Sequence, residues 1–171
     1  MDLSKLTPAD AAVALRGLER RYRALFAGLG EDESPDDLAH RRVEGWSAID
    51  HIVAAARAIG GYERAMHAVL TRDTPELSPA DLDDDPHPPL APTGTVHERI
   101  SELGMETVSM AERIEGVPAS DWTREGVVGD GPDRRVTSMD LVRGAVDAGV
   151  SHLDAARNVL SAAVGKPGPQ R

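Results

Sequence analysis

Four times along this chain, a residue suited to capping a helix is followed by apolar residues at alternating three- and four-residue steps. Such a stripe buries one side of a helix, and four of them predict an all-α, four-helix bundle. The first predicted helix opens at Thr7-Pro8-Ala9-Asp10, where Thr7 can cap, Pro8 suits the first helical position and Asp10 can close a capping box. Ala11, Leu15, Leu18, Tyr22, Leu25 and Leu29 mark its stripe, and Gly28 and Gly30 are the expected stop. The second opens at Ser47-Ala48-Ile49-Asp50, with Trp46 directly before the cap and a stripe of Ile49, Ile52, Val53, Ala56, Ile59, Met66 and Leu70. Gly60 and Gly61 fall inside it, where each costs about 1 kcal/mol against alanine; they predict a close contact or a kink.

The third opens at Thr95-Val96-His97-Glu98 and carries Val96, Ile100, Leu103, Thr107, Met110 and Ile114 before Gly116 and Pro118. The fourth opens at Thr137-Ser138-Met139-Asp140 and carries Met139, Val142, Val146, Gly149, Leu153, Ala156 and Leu160. Residues 73–94, rich in proline and aspartate, are too long for a tight turn. They predict a long crossover between the second and third helices, with one short helix near Pro79. Residues 118–136 show no convincing strand pair, although Arg135-Val136 reads as extended.

The chain of 171 residues is read as a single domain, 1–171, with its core over 8–163 and a tail at 165–171. It has no cysteine, which excludes disulfides, thiolate zinc sites and a cysteine nucleophile. A net charge of −10 and an aromatic content of 3% argue against nucleic acid and against anionic membranes as partners. Neither a signal peptide nor a run of apolar residues long enough to span a bilayer is visible, so the expected location is cytoplasmic. There is no G-x-S-x-G elbow, P-loop or GxGxxG fingerprint.

Two stretches, Gly45-Trp46-Ser47-Ala48-Ile49-Asp50 with the helix after it, and Thr137 to Leu153 ending in Ser151-His152-Leu153, carry a family resemblance. The chain resembles the DinB-like superfamily over about residues 8–163, and is similar to the N-terminal domain of mycothiol-dependent maleylpyruvate isomerases. The resemblance implies a four-helix bundle with a divalent metal on three histidines: one on the second helix, eight residues after the tryptophan, and two spaced four apart on the fourth. It also implies transfer or isomerisation of substrates with a low-molecular-weight thiol. Carried over by position, the three ligands fall on Ala54, Ala148 and His152. Alanine binds no metal, so the resemblance implies a degenerate triad in which His152 alone is retained.

Other residues are candidates for a site. Glu63 and His67, four apart and beside Tyr62, fall within the apolar arc of the second helix. Glu63 is open to reading as a metal ligand, a general base or half of a buried Glu–His pair. His51 falls away from the apolar stripe and is expected to be an exposed first-turn histidine. His97 is expected in solvent, His40 and His87 in loops, and Asp83-Asp84-Asp85 in a flexible acidic loop. The candidate catalytic residues are therefore His152 and Glu63, and the candidate pocket is lined by Ala54, Tyr62, His67, Ala145, Ala148 and His152.

Three functions remain open on this reading. One is a thiol-dependent transferase or isomerase without the standard metal. Another is a metal-free protein binding a small molecule where ligands have become alanine. The last is a dimeric interaction protein, a homodimer being the expected assembly.

Overall fold

The structure is a computed structural model that describes residues 2–27, 29, 34–82, 92–129 and 134–164. Gly28, Gly30, His87, Asp83-Asp84-Asp85 and the tail from Gly165 lie outside them. The four expected helices are present: α1 (Pro8–Phe26), α3 (Ala48–Thr71), α4 (Val96–Glu115) and α5 (Ser138–Val164), with a short α2 (Pro35–His40) before α3. Their first turns follow the capping chemistry. Thr7 accepts from the amide of Asp10, Ser47 and Asp50 close a reciprocal capping box, and Thr95 and Glu98 close another. Thr137 and Asp140 exchange the same two bonds at the start of α5.

Side-chain pairs set the helix directions. Arg16 reaches Glu115 and Arg23 reaches His97 and Ser101, so α1 and α4 run antiparallel. His51 meets His152 while Tyr62 packs on Gly144, so α3 and α5 are antiparallel. Gly60 faces Glu106 and Glu63 faces Ser109 and Arg113, so α3 and α4 run parallel. The bundle is thus up-down-down-up. Two consecutive helices that run parallel need a connection that travels back their full length, about 36 Å for a helix the length of α3. This is what the proline-rich segment after α3 must do. A 3-10 helix, Pro79–Leu82, stands in that connection near the expected position.

The expectation of no strand pair after α4 is corrected. Strands β2 (Glu125–Val128) and β3 (Arg135–Thr137) pair antiparallel, and β1 (Glu76–Leu77) joins β2 in parallel. Strands of four, three and two residues carry too few side chains for a periodic signal. The sheet forms because it joins two connections distant in sequence at one end of the bundle. Arg124, just before β2, donates to the carbonyls of Val69 and Arg72 and so caps the C-terminus of α3.

The expected stripes face the core. Leu15, Leu18, Ile49, Ile52, Ile59, Met66, Ile100, Leu103, Met110, Val142 and Leu153 are all buried. Tyr22 is buried across the bundle from α5, donating its hydroxyl to the Gly149 carbonyl at 3.2 Å. The glycine pair in α3 serves close contact rather than a break, since the helix runs on unbroken. A Cβ on Gly60 would stand 2.8 Å from Glu106 Oε2, and one on Gly61 would fall on the backbone carbonyl of Asp81 in the 3-10 helix.

Candidate functional site

The α2–α3 connection turns tightly over the start of α3. Glu44 and Gly45 both have positive φ, 54° and 91°, and Val43 and Trp46 bond to each other across them. Two consecutive left-handed residues are the requirement of a two-residue hairpin turn, and glycine makes the second inexpensive. The turn is tied down from below. Asp50 is fully buried, and its Oδ2 accepts from the Ser47 amide at 2.8 Å and the Ser47 hydroxyl at 2.6 Å, with the Arg42 guanidinium at 3.5 Å. Asp50 Oδ1 has no partner among the described residues. Arg42 also donates to the Gly45 carbonyl at 2.7 Å.

This turn lays Trp46 on His51. The two rings stack with centroids 4.6 Å apart and planes within 10°. His152 comes in from α5, its Nδ1 3.2 Å from Nδ1 of His51 and its ring 6.4 Å from that of Trp46. Three rings from two helices and a turn therefore meet at the outer seam between α3 and α5. His51 is only 9% exposed; Trp46 and His152 are half-buried. Burial, and next the neighbouring imidazole of His152, depress the His51 pKa to about 4 against the opposing pull of Asp50. His51 is therefore neutral over the physiological range.

The expectation that His51 is exposed is corrected, and the reason is the packing of α3. This helix lies between α4 and α5, so its buried arc is wider than the stripe of large residues. It includes the row Ala55, Ala58 and Ala65, and His51 belongs to that row. A histidine in register with alanines along one helical face was the available signal.

Glu63 and His67 lie elsewhere. Arg113 of α4 donates to Glu63 Oε1 from Nε at 3.1 Å and Nη2 at 2.9 Å, and Ser109 adds a third bond at 2.9 Å. The other guanidinium nitrogen, Nη1, reaches His67, which is exposed. The partner of the half-buried carboxylate is thus arginine, not histidine, and the pair faces α4. Glu63 lies about 18 Å along α3 from His51, so the structure does not bring Glu63 or His67 to His152. Beside them, burial and the Glu63 charge raise the pKa of Glu106. Tyr62 is half-buried, with its hydroxyl on the Leu82 carbonyl at 3.0 Å and its ring over Gly144. Ala145 is sealed in the core and Ala148 is 8% exposed, while Ala54 is half-buried. His97 is exposed with Nδ1 on Arg23, and His40 ends α2 with its ring on the Asp36 carbonyl.

The antiparallel register that sets His51 against His152 and Tyr62 against Gly144 brings Ala54 level with Ala148, beside the histidine pair. The two alanines that stand at the implied ligand positions are thus neighbours of the imidazoles in space. Among the described residues, no three His, Asp or Glu side chains converge as a metal ion needs. A depression of about 440 Å³ between α1 and α4, lined by Glu19, Gly104, Met105 and Val108 among others, shares no residue with the histidine pair.

Comparison with known proteins bears on the architecture. The chain superposes on YfiT from Bacillus subtilis, described as a probable metal-dependent hydrolase with an unusual four-helix bundle topology. The TM-score is 0.71 at 14% identity, over 95% of this chain and 90% of that one. The two chains share a fold. The four-helix bundle expected from the sequence is therefore the observed fold. No family model and no curated protein sequence matches the chain. Among the described residues, no helix is long and apolar enough to cross a membrane.

Proposed function

We propose that this DinB-like bundle is an enzyme acting on a small electrophilic substrate, by hydrolysis or by thiol-dependent group transfer, at the histidine pair on the α3–α5 seam. The observation that carries the reading is the meeting of His51 and His152 beneath Trp46, from helices a hundred residues apart in sequence. Two imidazoles in hydrogen-bond contact, one of them shielded and neutral, are groups that can accept and return a proton during catalysis. His152, the more exposed of the two, is the group that meets the substrate. It takes the proton of an attacking water or thiol as the new bond to the substrate carbon forms. It returns that proton to the leaving atom as the old bond breaks, or, when a thiol adds across an activated C=C bond, to the carbon that carries the electron pair of the broken π bond. His51 and Trp46 hold the His152 ring in place from behind. The fold shared with a probable metal-dependent hydrolase supports the hydrolytic arm, and the resemblance to thiol-dependent isomerases supports the other.

The test is a panel of activated esters, thioesters and Michael acceptors, each assayed with and without a low-molecular-weight thiol. Turnover is expected on at least one member, with a loss of 100-fold or more in His152→Ala and none in His97→Ala, whose ring is exposed on α4. Undiminished turnover in His152→Ala would overturn the assignment.

A further inference from the structure

A shared fold with a probable metal-dependent hydrolase raises the question of whether these residues would hold a metal. A catalytic zinc site takes three protein ligands and keeps one position open. Here two imidazole nitrogens stand 3.2 Å apart, near the spacing of about 3.3 Å that two nitrogens keep on one tetrahedral ion. What surrounds them decides the matter. Level with the pair are Ala54 and Ala148, which have no donor atom, and Trp46 covers His51 with a ring that ligates nothing. Asp50, the nearest carboxylate in sequence, commits its Oδ2 to the Ser47 and Arg42 contacts beneath the turn, and although its buried Oδ1 has no partner among the described residues, it does not converge with the two imidazoles as a third ligand. The donor set does not fit a three-ligand metal.

The same geometry fits a proton. An Nδ1···Nδ1 contact is a hydrogen bond only when one ring carries its hydrogen on Nδ1 and the other does not. We propose that the site has exchanged a metal for a proton: His51 and His152 share one hydrogen between their Nδ1 atoms, are held in opposite tautomers, and work without a metal. The inference rests on the reading of the histidine pair as the functional site. It adds that no resident ion takes part and that the pair is asymmetric, with one ring protonated at Nδ1 and the other at Nε2. The stacked Trp46 and the Asp50-anchored turn fix the plane of His51 and so keep its Nδ1 on the line to His152. Trp46 and Asp50 are positioning residues in this arrangement.

Two measurements on the full chain test this without reference to turnover. Long-range ¹H–¹⁵N correlation spectra at neutral pH read the tautomer of each ring, with assignment by His51→Asn and His152→Gln. The expected result is one Nδ1–H ring and one Nε2–H ring in the wild type, with the Nδ1–H form lost in either variant. Titration with zinc, nickel and manganese gives the second readout. No stoichiometric uptake is expected at micromolar metal, whereas an Ala54→His/Ala148→His variant, which supplies three imidazoles, is expected to take up one equivalent. Two Nε2–H rings, or one equivalent of metal in the wild type that His152→Gln abolishes, would overturn the proposal. Because neither experiment needs a substrate, a chain that proves inactive in the assay panel leaves this result standing, and the two readings fail separately.

Discussion

His51 should make the fold acid-sensitive in a way that one substitution isolates. The fold lowers its pKa from 6.5 to about 4, chiefly by burial. A basic group with a depressed folded pKa is bound in its neutral form. Its stabilising contribution is complete above the unfolded value of 6.5 and is lost as pH falls from there toward 4, because over that window the unfolded chain binds the extra proton. At about 1.4 kcal/mol per unit, the shift sets a ceiling of roughly 3.4 kcal/mol. Solvent reaching the half-buried His152 and Trp46 beside it screens part of this, and roughly 1.5 kcal/mol remains by pH 4.5. Urea denaturation of wild type and His51→Asn at pH 7.5 and pH 4.5, followed by circular dichroism, gives the double difference. The carboxylates titrate in both proteins and cancel. The wild type is expected to lose about 1.5 kcal/mol more than the variant over this interval. In His152→Gln the same comparison should shrink but persist, since the neighbouring imidazole is the second cause and burial the first. Equal losses in wild type and His51→Asn would refute the burial of a neutral imidazole at this position.

Other substitutions probe the frame around the site. Gly61→Ala puts a Cβ onto the Asp81 carbonyl, a backbone atom that cannot swing away, and should cost about 1–3 kcal/mol in a urea titration. Tyr22→Phe removes the buried bond to the Gly149 carbonyl, and a loss of about 1 kcal/mol with an unchanged helical spectrum is expected. Arg113→Ala leaves the Glu63 carboxylate, 14% exposed, without its guanidinium; a cost of about 1–2 kcal/mol is expected in denaturant, with no change in the tautomers of His51 and His152.

The sequence by itself determined the helices and much of their meaning. Each begins with side chains that cap it locally, and each stripe is read from spacing alone, so Thr7, Ser47, Thr95 and Thr137 stand at starts that need no tertiary information. The length and proline content of the connection after α3 likewise foretold a crossover, and Ala54 and Ala148 were visible as positions without a donor. What only the tertiary structure decided depends on more than one element at once. The buried arc of α3 is the sum of two neighbours, α4 and α5. It therefore takes in the alanine row with His51, which a stripe of large residues had left in solvent. Glu63 could be seen to need a partner, but Arg113 is fifty residues away and reaches it only because α3 and α4 run parallel. The three-stranded sheet joins segments too short to declare themselves. The histidine pair is the clearest case: local spacing fixes where a side chain sits on its own helix, whereas a contact between Nδ1 atoms of His51 and His152 is set by how two helices and a left-handed turn pack together.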